Sequence, residues 1–170
     1  MTRTRQDGSG NQDGEKPPLD PLVLAQIAEA IASHVPHNQA LGIRFVSAEE
    51  RCVTLALPYD EKLVGNPLTR VIHGGAITTL LDGTCGTAVF LALREPIPIA
   101  TLDLRIDYLR PATPEKEVHA RAECFRTTHN VAFVRCEAFH PGSGELVAVA
   151  NGTFIIFRGK KLGHRGRGKS

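Results

Sequence analysis

The sequence predicts an α+β fold in which a curved antiparallel sheet wraps around one long central helix. Three observations carry that expectation. Residues 74–92 are apolar on every side rather than along one stripe, the pattern of a helix enclosed by other elements. Six other segments alternate apolar and polar residues with the period of strands. Small residues recur on one face of the last two, at Ala132, Val134, Cys136 and Ala138 and again at Ala148, Ala150 and Gly152. Such a face lets a helix approach closely, and mostly antiparallel strands need a cover for their apolar side.

The elements follow in order. Asp20 stands where an N-cap belongs, with Pro21 at the first helical position. Leu22, Val23, Ile27, Ala30 and Ile31 then give a short amphipathic helix ending near His34–Pro36. Two strands follow, "LGIRFVSAEE" and "CVTLALPYD", the second alternating Val53, Leu55 and Leu57 with Cys52, Thr54 and Ala56. Residues 60–72 lack a period and read as a loop. After the long helix, "IATLDLRIDYL" puts Leu102, Leu104, Ile106 and Tyr108 on one face and Thr101, Asp103, Arg105 and Asp107 on the other. "EVHARAECFR", "NVAFVRCEAFH" and "ELVAVANGTFIIF" complete the sheet, with the turn "PGSG" between the last two.

A chain of 170 residues fits one domain, and 42% hydrophobic with 22% charged residues is the balance of a globular protein. The polar, Gly-rich residues 1–18 read as a disordered leader, 19–157 as the folded domain and 158–170 as a basic disordered tail. That tail holds six basic residues and no acidic one, while residues 21–157 hold 11 basic against 14 acidic. A nucleic-acid-binding domain would carry its positive charge on the folded body, so that class is excluded. Residues 1–20 lack the apolar core of a signal peptide. A central Asp costs roughly 2.5–3.5 kcal/mol on insertion into a bilayer, so residues 74–93 read as a core helix rather than a membrane span. Cys52, Cys85, Cys124 and Cys136 show no paired or metal-ligand spacing and read as free thiols of a reducing, cytoplasmic compartment. His34 and His37 have no clustered partners, so no metal is expected.

The chemistry concentrates in "HGGAITTLLDGTCGTAVFLAL", residues 73–93, where Asp82 is the one charge among Gly, Thr, Cys and apolar residues. Desolvating a lone carboxylate costs several kcal/mol unless something compensates it. His73-Gly74-Gly75 opens the helix, where backbone N–H groups lack intrahelical partners and the dipole is positive. Nine residues on, Asp82 lies about 13 Å down the axis at ~1.5 Å per residue. That is too far to serve its own helix N-terminus and argues for a site shared between two chains.

The run from Asn66 through His73-Gly74-Gly75 to Asp82, followed by "TLDLRIDYLRPA" from Thr101, resembles the hotdog-fold acyl-CoA thioesterases, and in particular their PaaI-like, phenylacetate-pathway branch. The resemblance covers roughly residues 40–157. It implies hydrolysis of an acyl- or aryl-CoA thioester, with no cofactor, in a homodimer or a homotetramer of paired dimers. It further implies Asp82 as general base or nucleophile and Gly74 N–H as the carbonyl-polarising donor. His73 would shape the loop and hydrogen-bond near the carbonyl, with Gly75 binding substrate beside it. Asn66 would help orient the thioester or the water, and Thr101 would hold the attacking water. Arg110 and Arg126 are candidates for coenzyme A phosphates, because guanidinium matches phosphate oxygens. A hotdog hydratase or dehydratase and a non-catalytic acyl-CoA-binding protein are the competing functions. The first lacks a second acid–base pair and the second lacks an added DNA-binding module.

Overall fold

A computed structural model describes residues 19–159. The expected leader, and all of the tail beyond its first two residues, lie outside them. Helix α1 (Pro21–His34) begins as its sequence dictates: the Asp20 carboxylate accepts the Leu22 N–H at 2.7 Å and proline occupies the first turn. Its packed face differs from expectation. Leu24, Ala28 and Ala32 are buried, whereas Leu22 is 74% exposed and Val23 and Ile27 also face outward. Spacing of four puts Leu24, Ala28 and Ala32 on one line, and the two alanines permit an approach that the larger Val23 and Ile27 do not. Pro36 does more than end α1. It opens a second helix, α2 (Pro36–Leu41), which Gly42 closes in the left-handed conformation (φ 72°).

One six-stranded antiparallel sheet follows, in the order β1-β2-β6-β7-β8-β5. Its strands are β1 (Arg44–Glu49), β2 (Cys52–Leu57), β5 (Ile99–Tyr108), β6 (Val118–Thr127), β7 (Val131–Phe139) and β8 (Leu146–Ile156). Residues 60–72 are not a plain loop. They form a 3₁₀ turn at Glu61–Leu63 and a small hairpin of β3 (Val64–Asn66) and β4 (Val71–Ile72). Strands of three and two residues are too short to register as a period.

Helix α3 (Gly74–Leu93) lies against the sheet. Leu80, Leu81, Cys85, Ala88 and Val89 are fully enclosed, as are Ala120, Ala122, Cys124, Ala132 and Ala138 on the facing strands. By length and composition α3 could cross a membrane, but here most of it is buried within the fold. The four cysteines are free and lie, as expected, in β2, α3, β6 and β7.

Strand β5 forms one edge of the sheet and carries a bulge between Thr101 and Asp103. The bulge overturns the simple alternation expected there. Thr101 pairs with buried Phe154 and Leu104 with Gly152, so Thr101 shares the helix-facing side with Leu104. Leu102, the extra residue, turns out and is 58% exposed.

Candidate active site

The site starts at the first turn of α3. His73 is its N-cap, in extended conformation, and its Nδ1 accepts the Gly75 N–H at 2.9 Å. Accepting there requires an unprotonated Nδ1, which makes this imidazole the neutral Nε2–H tautomer. The His73 N–H donates to Leu63 O at 2.7 Å, hanging the cap on the segment before it. Gly65 makes that contact possible, since a Cβ there would lie 2.8 Å from His73 Cα.

Gly74 is the first helical residue, and its N–H has no hydrogen-bond acceptor among the described residues. Its carbonyl is held twice, by the Tyr108 hydroxyl at 2.8 Å and by Thr78 Oγ1 at 3.1 Å, and those two hydroxyls lie 2.9 Å apart. The residue that would present the free N–H is therefore tied through its carbonyl to the far end of β5. Tyr108 was legible in the sequence only as a face-alternating strand residue; its part in the site depends on where the strand's end meets the helix.

Asp82 is half-buried on α3, and its Oδ1 accepts the Thr101 hydroxyl at 2.8 Å. Of the residues singled out in the sequence, the fold thus joins Asp82 to Thr101 and joins His73, Gly74 and Gly75 in one turn. Asn66 stays apart from both groups: its Oδ1 accepts the Leu68 N–H at 3.0 Å and stabilises the β3–β4 turn. Arg110 is paired with Glu145 at the end of β5. Arg126 lies toward the other end of the sheet, six residues of β8 and three strand spacings away, or roughly 25 Å. Within one protomer the two do not meet. Arg135 stacks over Phe125, 4.5 Å from the ring centroid. His34 and His37 belong to different helices, His34 bonding Ala30 O and His37 standing 3.4 Å from Thr79 Oγ1.

Two cavities flank the turn. One, of about 390 Å³, is bounded by His37, Lys62, His73, Gly75 and Thr79. The other, of about 380 Å³, is bounded by Gly74, Ile77, Tyr108, Leu109 and Ala112. The wall formed by Ala112 is pinned by buried His140, whose Nε2 accepts the Thr113 N–H at 2.9 Å and whose Nδ1 donates to Glu117 O at 2.8 Å.

The Thioesterase superfamily model matches residues 70–147, which run from the turn before His73 into β8. The medium/long-chain acyl-CoA thioesterase YigI of Escherichia coli is 30% identical over 146 residues, covering 78% of this chain and 93% of YigI. The chain belongs to the thioesterase superfamily. A Pseudomonas aeruginosa protein of known crystal structure is 44% identical and superposes with a TM-score of 0.70 over 78% of this chain and 98% of its own. The phenylacetic acid degradation protein PaaI of Thermus thermophilus is 28% identical, with a TM-score of 0.61 over 71% of this chain and 97% of PaaI. The hotdog fold and the PaaI-like kinship read from the sequence are therefore borne out, and this superfamily member is a thioester hydrolase.

Proposed function

We propose that the protein hydrolyses acyl-CoA thioesters to free acid and coenzyme A, in a site that joins Gly74 of one protomer to Asp82 of another. YigI's named substrates supply the substrate class, medium- to long-chain acyl-CoA. One observation carries the reading. An N–H with no partner among the described residues opens α3, while a carboxylate held by Thr101 sits a little over two turns along the same helix. A thioester spanning both needs a second copy, and the β5 edge with its outturned Leu102 offers a surface for one.

The chemistry balances with these groups. Gly74 N–H and the positive helix end receive the thioester oxygen, and Asp82 takes a proton from water as the hydroxide adds to the carbonyl carbon. The Thr101 hydroxyl donates to Asp82 Oδ1 and keeps lone pairs free to accept the second water hydrogen. Collapse of the tetrahedral adduct breaks the C–S bond, and the proton on Asp82 passes to the departing thiolate. His73 holds the turn, with Gly75 giving it room. The alternative role for Asp82, as nucleophile through a mixed anhydride, would leave ¹⁸O from labelled water in the Asp82 carboxylate after a single turnover when water opens the anhydride at the Asp82 carbonyl.

Free-thiol release from a panel of acyl- and aryl-CoAs tests the function. Wild-type turnover with loss of about 10²-fold or more in Asp82→Asn supports it. Equal turnover by the two proteins sinks the role of Asp82. Loss of an enoyl-CoA chromophore without thiol release would make the protein a hydratase, and binding without turnover a sensor.

A further inference from the structure

We infer that the two cavities beside the first turn of α3 divide the substrate: the one at Ile77 and Leu109 takes a linear aliphatic acyl chain, and the one at His37, Lys62 and Thr79 takes the amide-bearing arm of the thiol. This rests on the acyl-CoA thioesterase reading and adds where, and for what chemistry, the enzyme selects.

The cavities lie on opposite sides of the helix. At 3.6 residues per turn, Gly74 and Ile77 on one side stand roughly 180° round the axis from Gly75, Ala76 and Thr79 on the other. The Gly74 N–H opens the helix turn that separates them. A thioester polarised by that amide has its acyl and sulfur substituents pointing apart, so each enters a different cavity. At about 390 and 380 Å³, each is near the lower bound of small-molecule sites and suited to one arm of an acyl-CoA rather than the whole.

Lining chemistry decides which arm goes where. The Leu109 cavity is walled by Val71, Ile72, Ile77, Pro111 and Ala112. Its two polar neighbours are already engaged, Tyr108 with Gly74 O and Thr78, and Arg110 with Glu145. What remains to meet a ligand is aliphatic, with no ring beyond Tyr108 to stack on an aryl group. Each methylene buried there strengthens binding about four-fold. The opposite cavity mixes Leu41, Leu63, Val64 and Ala76 with polar groups: the Thr79 hydroxyl, which donates to Gly75 O at 3.1 Å, the His37 and His73 imidazoles, and the Lys62 ammonium, paired to exposed Asp60 at 2.9 Å. Its greater share of polar groups matches an arm that alternates methylenes with amides. Methylenes laid along those groups would strip them of water without replacing it, whereas amide N–H and C=O groups replace it.

The test is kcat/KM for acetyl- to hexadecanoyl-CoA and for phenylacetyl-CoA, in wild type and in Leu109→Trp, Leu109→Ala and Thr79→Val. Leu109 is 53% exposed, so both of its substitutions should fold, which thermal melting checks. Leu109→Trp should cut the ratio of dodecanoyl- to butyryl-CoA activity about ten-fold by filling the space of two or so methylenes. Leu109→Ala should move the optimum to longer chains. Thr79→Val should raise KM alike for every chain length and leave that ratio within about two-fold. Chain-length selectivity that follows Thr79 and ignores Leu109 overturns the assignment, as does a preference for phenylacetyl-CoA over every linear chain. If wild type releases no thiol from any substrate, the hydrolase reading fails on its own. The division is then read by calorimetry with free coenzyme A and its S-dodecyl thioether. Leu109→Trp should weaken only the thioether, and equal effects on both ligands would refute the division.

Discussion

Thr101 on the edge strand β5 donates its hydroxyl hydrogen to Asp82 Oδ1 in the middle of α3 across 2.8 Å. The bond exists because the β5 bulge turns Thr101 onto the side of Phe154 and Leu104, facing the helix, and sends Leu102 outward instead. One irregularity in one strand thus fixes the carboxylate that the proposed reaction uses. At its other end the same strand holds the Gly74 carbonyl through Tyr108.

The Thr101 bond can be removed without changing the shape of the side chain. A hydrogen bond to a charged acceptor contributes about 1.5–3 kcal/mol. Thr101→Val should therefore lower kcat about ten-fold or more while KM barely moves, and Thr101→Ser, which keeps the hydroxyl, should stay within a few-fold of wild type. Steady-state thiol release by the three proteins checks this. Equal kcat in the Val and Ser variants would mean that the bond is structural.

The Gly74 amide can be tested by deleting one hydrogen-bond donor. Gly74 is the first helical residue, where proline is well tolerated, and His73 at ψ 133° already has the conformation that a following proline requires. A Cβ at Gly74 would meet the Tyr108 side chain, its nearest atom the hydroxyl at an ordinary 3.4 Å. Gly74→Pro should fold with a melting temperature near wild type and lose about 10²–10³-fold in kcat, as when an oxyanion donor is removed. A fully active, well-folded variant would take the amide out of the mechanism.

These tests rest on features that differ in how far the sequence reveals them. Helix α3 is legible because its all-round apolar pattern continues for many turns, and His73-Gly74-Gly75 with Asp82 is legible because chemistry and spacing coincide. The bulge at Leu102 is not, since nothing in "ATLDL" marks where a strand gains a residue. Hydropathy points to the wrong face of α1 for a physical reason. Hydropathy favours Leu22, Val23 and Ile27, but packing chose Leu24, Ala28 and Ala32, which let the helix come closer. Tyr108 reads as a strand residue because its partner Gly74 lies 34 positions away in the chain.

His73 has a structural task that can be separated from any chemical one. Its Nδ1 caps α3, and loss of an N-cap costs roughly 1 kcal/mol, whereas Asn caps as well as any residue. His73→Asn should therefore melt near wild type and His73→Ala a few degrees lower. Gly65→Ala should be worse than either, by about 1–3 kcal/mol, because its Cβ would meet backbone at His73 Cα at 2.8 Å. A Gly65→Ala protein that melts like wild type would show that the hairpin does not press on the cap.

Stability should fall on the alkaline side. Burial pushes the Cys136 thiol well up, and neighbouring Cys85 adds to the rise. Burial also raises Cys124, with Arg51 partly opposing it. In the unfolded chain these thiols ionise near pH ~8.5. Above that pH the unfolded state binds fewer protons than the folded one, so the free energy of unfolding declines as pH rises, by up to about 1.4 kcal/mol per unit for each thiol. Below pH ~8 both states are protonated and the contribution is complete. Urea melts from pH 7 to 10 check this, with Cys136→Ala expected to show a shallower decline. An unchanged slope in that variant would assign the alkaline loss to other groups.

The shared site makes a prediction that no single-chain site can meet. Asp82→Asn removes the carboxylate from a protomer, and Gly74→Pro removes the amide. If each site takes its amide from one chain and its carboxylate from the other, a hybrid dimer of the two variants has one site with both lesions and one with none. Random pairing makes half of all dimers hybrid, each half-active, so refolding an equal mixture of the two inactive variants should restore about a quarter of wild-type activity. If both groups act within one chain, every site in every dimer keeps a lesion and mixing restores nothing. Restored thiol release therefore depends on the partner, and the same refolded mixture run with Asp82→Asn alone gives the background. Activity no higher than that background, from a mixture shown by mass spectrometry to contain hybrids, would place the Gly74 and Asp82 of each site in one chain.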